Sequence, residues 1–196
     1  MEALLRAASE PGYPAEIVLV LSNRPDAPGL AHAAAAGVAT VCVDHRPFRG
    51  DRAAHEATVE SCLRAHGVEL ACLAGYMRLL TPWLAGAWEG RMLNVHPSLL
   101  PAFPGLDTHR RALAAGVKLH GCTVHLVTAE VDSGPILAQA AVPVLPGDTE
   151  DALAARVLVQ EHRLYPLALR LHIEGGGTAD PAAALVNPLL GHADGP

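Results

Sequence analysis

The most useful features of this 196-residue sequence are first what it lacks. No run of 18 apolar residues occurs, so a transmembrane helix is not expected. No basic segment precedes an apolar stretch near the start, so no secretory signal is visible. The net charge of −6 gives no electrostatic reason to bind nucleic acid. The four cysteines, Cys42, Cys62, Cys72 and Cys122, show no CxxC spacing. Three of them lie in apolar, strand-like runs, and they read as buried small hydrophobes in a reducing compartment rather than as disulfides or zinc ligands. No HExxH or Cys/His cluster is present; His120 and His125, five apart on a presumed strand, should face opposite sides, so no metal site is expected. GxSxG is absent as well, which removes the context for a serine nucleophile. No repeat or low-complexity linker divides the chain. What remains is a cytoplasmic protein, 51% apolar and 17% charged, expected to form a single domain over residues 1–174 with a tail at 175–196.

The pattern of what is present predicts alternating strands and helices. MEALLRAAS has helical spacing but no N-cap ahead of it. Glu16 to Leu21 is a continuous apolar run that reads as a strand buried on both faces, and Val38 to Val43 as a second buried strand. Between them lies an alanine-rich helix from Gly29 to Ala36. Asp51 to His66 reads as a helix, Glu69 to Ala74 as a third strand, and Arg91 to Val95 as a fourth. Leu119 to Val127 and Ile136 to Val144 look like antiparallel strands. Asp107 or Thr108 can cap one helix, and Asp148 or Thr149 can cap the last, which runs to about His172. The expected fold is therefore α/β: a mostly parallel twisted sheet with helices on both faces and antiparallel strands toward the C-terminal half. Ligands of such sheets bind beyond the carboxyl ends of the strands.

One stretch at such an end stands out, Asn94-Val95-His96-Pro97-Ser98-Leu99-Leu100-Pro101, continued by Ala102-Phe103-Pro104-Gly105-Leu106. Its prolines exclude regular structure after the strand. Asn94 and His96 are two apart, so on a strand they point to the same side. Asn offers a neutral N–H donor, and His can donate or accept a proton near neutral pH. Asp132 lies in Thr128-Ala129-Glu130-Val131-Asp132-Ser133-Gly134-Pro135, where Gly134-Pro135 forces a turn that would hold it in place. An Asn, a His and an orienting Asp suit chemistry that builds negative charge on a carbonyl oxygen. One such donor is worth about 3–4 kcal/mol, and proton transfer by the His roughly 10²–10⁴-fold. Direct acyl transfer to an external amine fits better than an acyl-enzyme. The plainer reading, a structural histidine after a strand, stays open at this point.

These residues, with Pro104-Gly105-Leu106-Asp107-Thr108-His109, Ala74-Gly75-Tyr76-Met77-Arg78-Leu79-Leu80 and His120-Gly121-Cys122-Thr123-Val124-His125, resemble the formyltransferase family that uses 10-formyltetrahydrofolate. The likeness runs to about Pro166 and is strongest to the branch that formylates glycinamide ribonucleotide in purine synthesis. It implies a Rossmann-like formyltransferase fold, and a folate that is a co-substrate with no tightly bound cofactor. It implies small-molecule partners, with neither nucleic acid nor membrane, and a monomer or homodimer. Asn94 and His96 would contact the formyl oxygen with His96 as the general acid, and Asp132 would act on His96 and order a water. Folate would lie against Met77, Arg78, Leu79 and Leu80, Asn94, and Thr128, Ala129, Glu130, Val131 and Asp132, with Arg52 toward its distal part. Gly75, Leu158, Val159, Gln160 and Glu161 would meet the ribonucleotide; for Glu161 an exposed helix carboxylate is the alternative.

The sequence departs from the family at two places. The family opens with a strand and a Gly-Ser-Asn loop that binds substrate phosphate, and Met1 falls just after the position of that Asn. The strand and loop are thus expected to be missing from the chain as written, leaving unpaired edges inside the sheet. Asp107 stands where many relatives carry His. Other formyltetrahydrofolate enzymes, a deformylating hydrolase or a tRNA formyltransferase, and a non-catalytic folate-binding fragment remain the alternatives.

Overall fold

The computed structural model describes residues 1–175 and the short strand at 185–186. In chain order its elements are α1 (Glu2–Ala8), β1 (Leu19–Ser22), α2 (Pro28–Ala35), β2 (Ala39–Cys42), α3 (Arg52–Ala65), β3 (Ala71–Leu73) and α4 (Pro82–Ala87). They continue with β4 (Met92–His96), α5 (Thr108–Ala115), β5 (Leu119–Leu126), β6 (Ile136–Pro143), α6 (Glu150–Glu174) and β7 (Leu185–Val186). Helix starts follow capping chemistry. Asp51, Thr81 and Thr149 each accept a backbone N–H from the first turn of α3, α4 and α6. Met1 and Asp107 precede their helices without a side-chain cap bond.

The strands form two sheets. β1 and β2 pair in parallel as a ribbon, from Leu19 opposite Ala39 to Ser22 opposite Cys42. The other sheet runs β3-β4-β5-β6-β7. β3 is parallel to β4, β5 is antiparallel to both β4 and β6, and β7 lies parallel to β6. The expected α/β class, with parallel crossovers first and antiparallel strands later, is the fold observed. The tail expected beyond residue 175 falls, apart from β7, outside the described residues.

The strands of the ribbon need correction. Each is four residues long instead of six, and both were expected to be buried. Every residue of β1 is only half-buried, and Ala39, Thr40 and Cys42 of β2 are exposed. Among the described residues each ribbon strand has one neighbour, so its outer edge and much of its surface remain in water. Cys42 is accordingly exposed and Cys62 half-buried, while Cys122 is the fully buried thiol, pushed up to about 12 by burial.

Two apolar clusters hold the elements. In the larger, Leu93, Cys122, Val124, Ala138, Ala140 and Val142 of the five-stranded sheet pack on Leu153, Val157, Leu164, Tyr165, Ala168 and Leu169 of α6. The alanines of β6 let the helix approach closely. Tyr165 fixes its register, its Oη lying 2.9 Å from the carbonyls of both Leu73 and Leu93. The smaller cluster joins Val59 and Leu63 of α3 to Leu84, Trp88 and Met92. Leu19, Leu21 and Val41 of the ribbon and Ala71 and Leu73 of β3 all pack on it. That shared cluster docks the ribbon beside the main sheet.

Candidate active site

β4 ends at His96, two residues beyond the point where the apolar run gives way at Asn94, so both side chains are presented from strand backbone. Asn94 is opposite His125 and His96 opposite Thr123 on β5. The loop that follows is pinned at several points. Thr123 Oγ1 donates to the Ser98 carbonyl at 2.7 Å and accepts the Leu100 N–H at 3.0 Å. Gln139 Nε2 lies 2.9 Å from the Leu100 carbonyl, and Ser98 Oγ donates to the Ala102 carbonyl at 2.6 Å. A buried polar network that is fully bonded makes this loop a rigid frame.

Asp132 enters from the turn after β5. Its φ of +52° lies in the left-handed region, which Asp tolerates better than most residues. The turn closes on Gly134, where a Cβ would stand 1.8 Å from the Leu126 carbonyl oxygen, so no larger residue fits without moving backbone. Leu126 N–H then bonds the Pro135 carbonyl at 2.9 Å. Held in this way, Asp132 accepts the Gly105 N–H at 2.8 Å on Oδ2. The same oxygen lies 3.4 Å from His96 Nδ1, and Oδ1 lies 3.7 Å from His125 Nε2. All three side chains are at least nine-tenths buried.

The proton positions follow from the partners. His96 Nε2 lies 3.0 Å from the Phe103 carbonyl, which can only accept, so Nε2 carries a proton. Its Nδ1 faces the Asp132 carboxylate at 3.4 Å. His125 differs. Its Nδ1 is 2.9 Å from the Leu126 carbonyl and so holds a proton. Burial lowers its pKa, against the opposing effects of the Leu126 carbonyl and Asp132. As a neutral ring it leaves Nε2 free to accept from Asn94 Nδ2 at 3.3 Å. That bond fixes which way the Asn94 amide points.

Two of the three expected reaction-centre groups, His96 and Asp132, are thus adjacent, and Asn94 joins them through His125. Sequence reasoning missed His125, weighing it only as a metal ligand. The signal that could have found it is the strand register that sets it opposite Asn94. His120 goes elsewhere. It is buried against Phe103 and hydrogen-bonded to His109 at 3.2 Å, and burial lowers its pKa to about 4. Among the described residues no three His, Cys, Asp or Glu side chains are grouped to hold a metal ion.

The remaining expected residues divide. Met77 is 77% exposed and Leu79 55%, while Arg78 and Leu80 are half-buried; Leu106 and Val131 are exposed as well. Thr128 is half-buried, and Ala129 and Glu130 are exposed. Gly75 has φ +68°, a conformation that suits glycine. On α6, successive residues turn by 100°, so Leu158, Val159, Gln160 and Glu161 cannot all face one ligand. Leu158 and Val159 are exposed, whereas Gln160 is buried with Oε1 unpartnered. Glu161 is half-buried; burial raises its pKa, and the Met1 ammonium opposes that shift. Arg52 is exposed at the first turn of α3, and no described contact links it to the reaction centre.

The formyl transferase family model matches residues 1–169. The chain belongs to the formyl transferase family. It is 47% identical over 175 residues, 89% of its length, to the trifunctional purine biosynthetic protein adenosine-3 of Gallus gallus, of which it spans only 17%. It is 41% identical over 175 residues to the phosphoribosylglycinamide formyltransferase of Escherichia coli, spanning 82% of that protein and 89% of itself. Among solved structures, the phosphoribosylglycinamide formyltransferase of Brucella melitensis superposes with a TM-score of 0.82 at 60% identity, over 87% of each chain.

Proposed function

We propose that this chain transfers the formyl group of 10-formyltetrahydrofolate to the amine of 5′-phosphoribosylglycinamide, a step of purine biosynthesis. The observation that carries the reading is the buried convergence of His96, Asp132 and the His125-oriented Asn94 at the end of β4, in a formyl transferase chain. Support also comes from the relatives named phosphoribosylglycinamide formyltransferase. The chain covers a small part of the trifunctional relatives, and only the formyl-transfer step is proposed for it.

In this scheme the substrate amine attacks the formyl carbon, and the carbonyl oxygen gains negative charge. The Asn94 amide N–H and the His96 N–H stabilise it, the latter exchanging the Phe103 carbonyl for the substrate oxygen. Asp132, 3.4 Å from Nδ1, keeps the imidazole oriented. The tetrahedral intermediate then collapses: the bond from the formyl carbon to N10 breaks, the proton lost by the amine is relayed through His96 to N10, and tetrahydrofolate leaves. The pterin lies against Met77–Leu80, where Met77 and Leu79 are exposed, and the loop Thr128–Asp132, with Arg52 toward the distal end of the folate. Gly75 and the face of α6 shared by Leu158 and Glu161 form the ribonucleotide side. Both substrates are small diffusible molecules, no tightly bound cofactor takes part, and the setting is the cytoplasm.

The test is to supply labelled 10-formyltetrahydrofolate with glycinamide ribonucleotide and follow the label. Transfer to the ribonucleotide supports the reading. Release as formate would point to the hydrolase, and folate binding without turnover to a non-catalytic module; either outcome rejects it.

A further inference from the structure

A cavity of about 320 Å³ opens between α1 and α6 and shares no lining residue with the site around His96. Its floor is small and apolar: Ala3 and Ala7 of α1 and Pro166 of α6 are all buried. Its rim is basic. Arg163 and Arg170 stand seven residues apart on α6 and therefore on one helix face, and Arg6 reaches in from α1. The one carboxylate that lines the cavity is Glu10.

These arginines differ from others in the chain. Arg24, Arg46, Arg64, Arg110 and Arg156 each sit on a carboxylate. Among the described residues, the guanidinium groups of Arg6, Arg163 and Arg170 have no such partner. Three cations are thus gathered at one cavity of a chain that is acidic overall. Their mutual repulsion is relieved by an anion placed between them. The cavity also has fixed polar features. Tyr13 Oη donates to the Pro166 carbonyl at 2.8 Å, and Arg170 lies 5.1 Å over the Tyr13 ring. Burial pushes the Tyr13 phenol up to about 12, so it stays protonated at neutral pH. Because proline has no N–H, the His162 carbonyl at the cavity lacks its helical donor.

We propose that this cavity binds a small polyanion of the diphosphate class, free or carried by a nucleotide. The guanidinium fork matches pairs of phosphate oxygens, and three forks suit a multiply charged group better than a single carboxylate. The volume is at the small end of ligand sites, about 300–1,000 Å³, which fits a diphosphate with little room beyond it.

Calorimetric titration of the full chain with inorganic pyrophosphate, and separately with ADP, tests this. Pyrophosphate should bind saturably, and R163Q/R170Q should weaken it by roughly tenfold or more, since two charged hydrogen-bonding groups are lost. Formyl transfer and the thermal midpoint should be unchanged in that variant. NMR signals of the arginine side chains at the cavity should move while those of Asn94 and His96 stay in place. Tighter ADP would identify a nucleotide as the source of the diphosphate, and equal or weaker ADP a free inorganic anion. No saturable binding into the millimolar range overturns the proposal. So does affinity that is unchanged in R163Q/R170Q, or shifts confined to His96 and its neighbours.

Discussion

The five-stranded sheet and the β1–β2 ribbon are made of similar residues yet behave as different materials. In the first, β4 and β5 each have two neighbours, and α6 covers one face with leucines and a bonded tyrosine. In the second, each strand has one neighbour among the described residues, and its side chains are half in water. Burial on both sides is what turns an apolar strand into a rigid platform. The proposed reaction centre stands on the platform, at the end of β4, and the ribbon is attached to the platform through one apolar cluster.

The contrast predicts unequal mutational costs. Leu93→Ala, at a position fully buried between sheet and helix, should destabilise the protein by about 2–5 kcal/mol in chemical denaturation. Val41→Ala on the ribbon should cost about 1 kcal/mol or less, because its side chain is only partly removed from water. Equal costs would mean the ribbon is as well buried as the platform.

Within the platform, chemistry should separate from stability. Asn94→Ala should lower kcat by roughly 10²–10³-fold in a formyl-transfer assay while leaving the thermal midpoint nearly in place. His125→Phe keeps the buried ring but removes the acceptor that orients Asn94. Its kcat should fall by about tenfold, the loss expected from one hydrogen bond. A fall as large as that of Asn94→Ala would show that His125 does more than orient the amide.

The smallest effect concerns the joint between β6 and α6. The Arg156 guanidinium beside Asp148 holds that carboxyl at about 2, and the Leu145 N–H adds to the shift. A depressed folded-state pKa gives stability that is present above the unfolded value near 4 and is lost as pH falls toward about 2. Asp148→Asn should therefore flatten the stability profile between about pH 4 and 2 and leave its slope near neutrality unchanged.

Much of the platform was legible in the sequence. The two-residue spacing of Asn94 and His96, the prolines after them and the Gly134-Pro135 turn are local signals, and each maps directly onto geometry. Burial of the ribbon was misjudged because a run such as EIVLVL shows apolar content, not how many neighbours the strand will have. His125 was missed because its role depends on register: only the pairing of β4 with β5 sets it opposite Asn94. The Phe103 carbonyl is invisible to residue-type reasoning altogether, since any residue supplies a carbonyl. Leu158 to Glu161 came from resemblance as a block, and helix geometry splits the block between faces.

The central claim is that Asp132 serves catalysis through His96. The direct measurement is single-turnover transfer of the labelled formyl group to glycinamide ribonucleotide by the unaltered chain and by Asp132→Asn, at matched folate occupancy. The account predicts transfer by the unaltered chain, and a rate in Asp132→Asn lower by roughly 10²-fold or more, with both substrates still bound and the fold intact. Equal rates in the two proteins would contradict it.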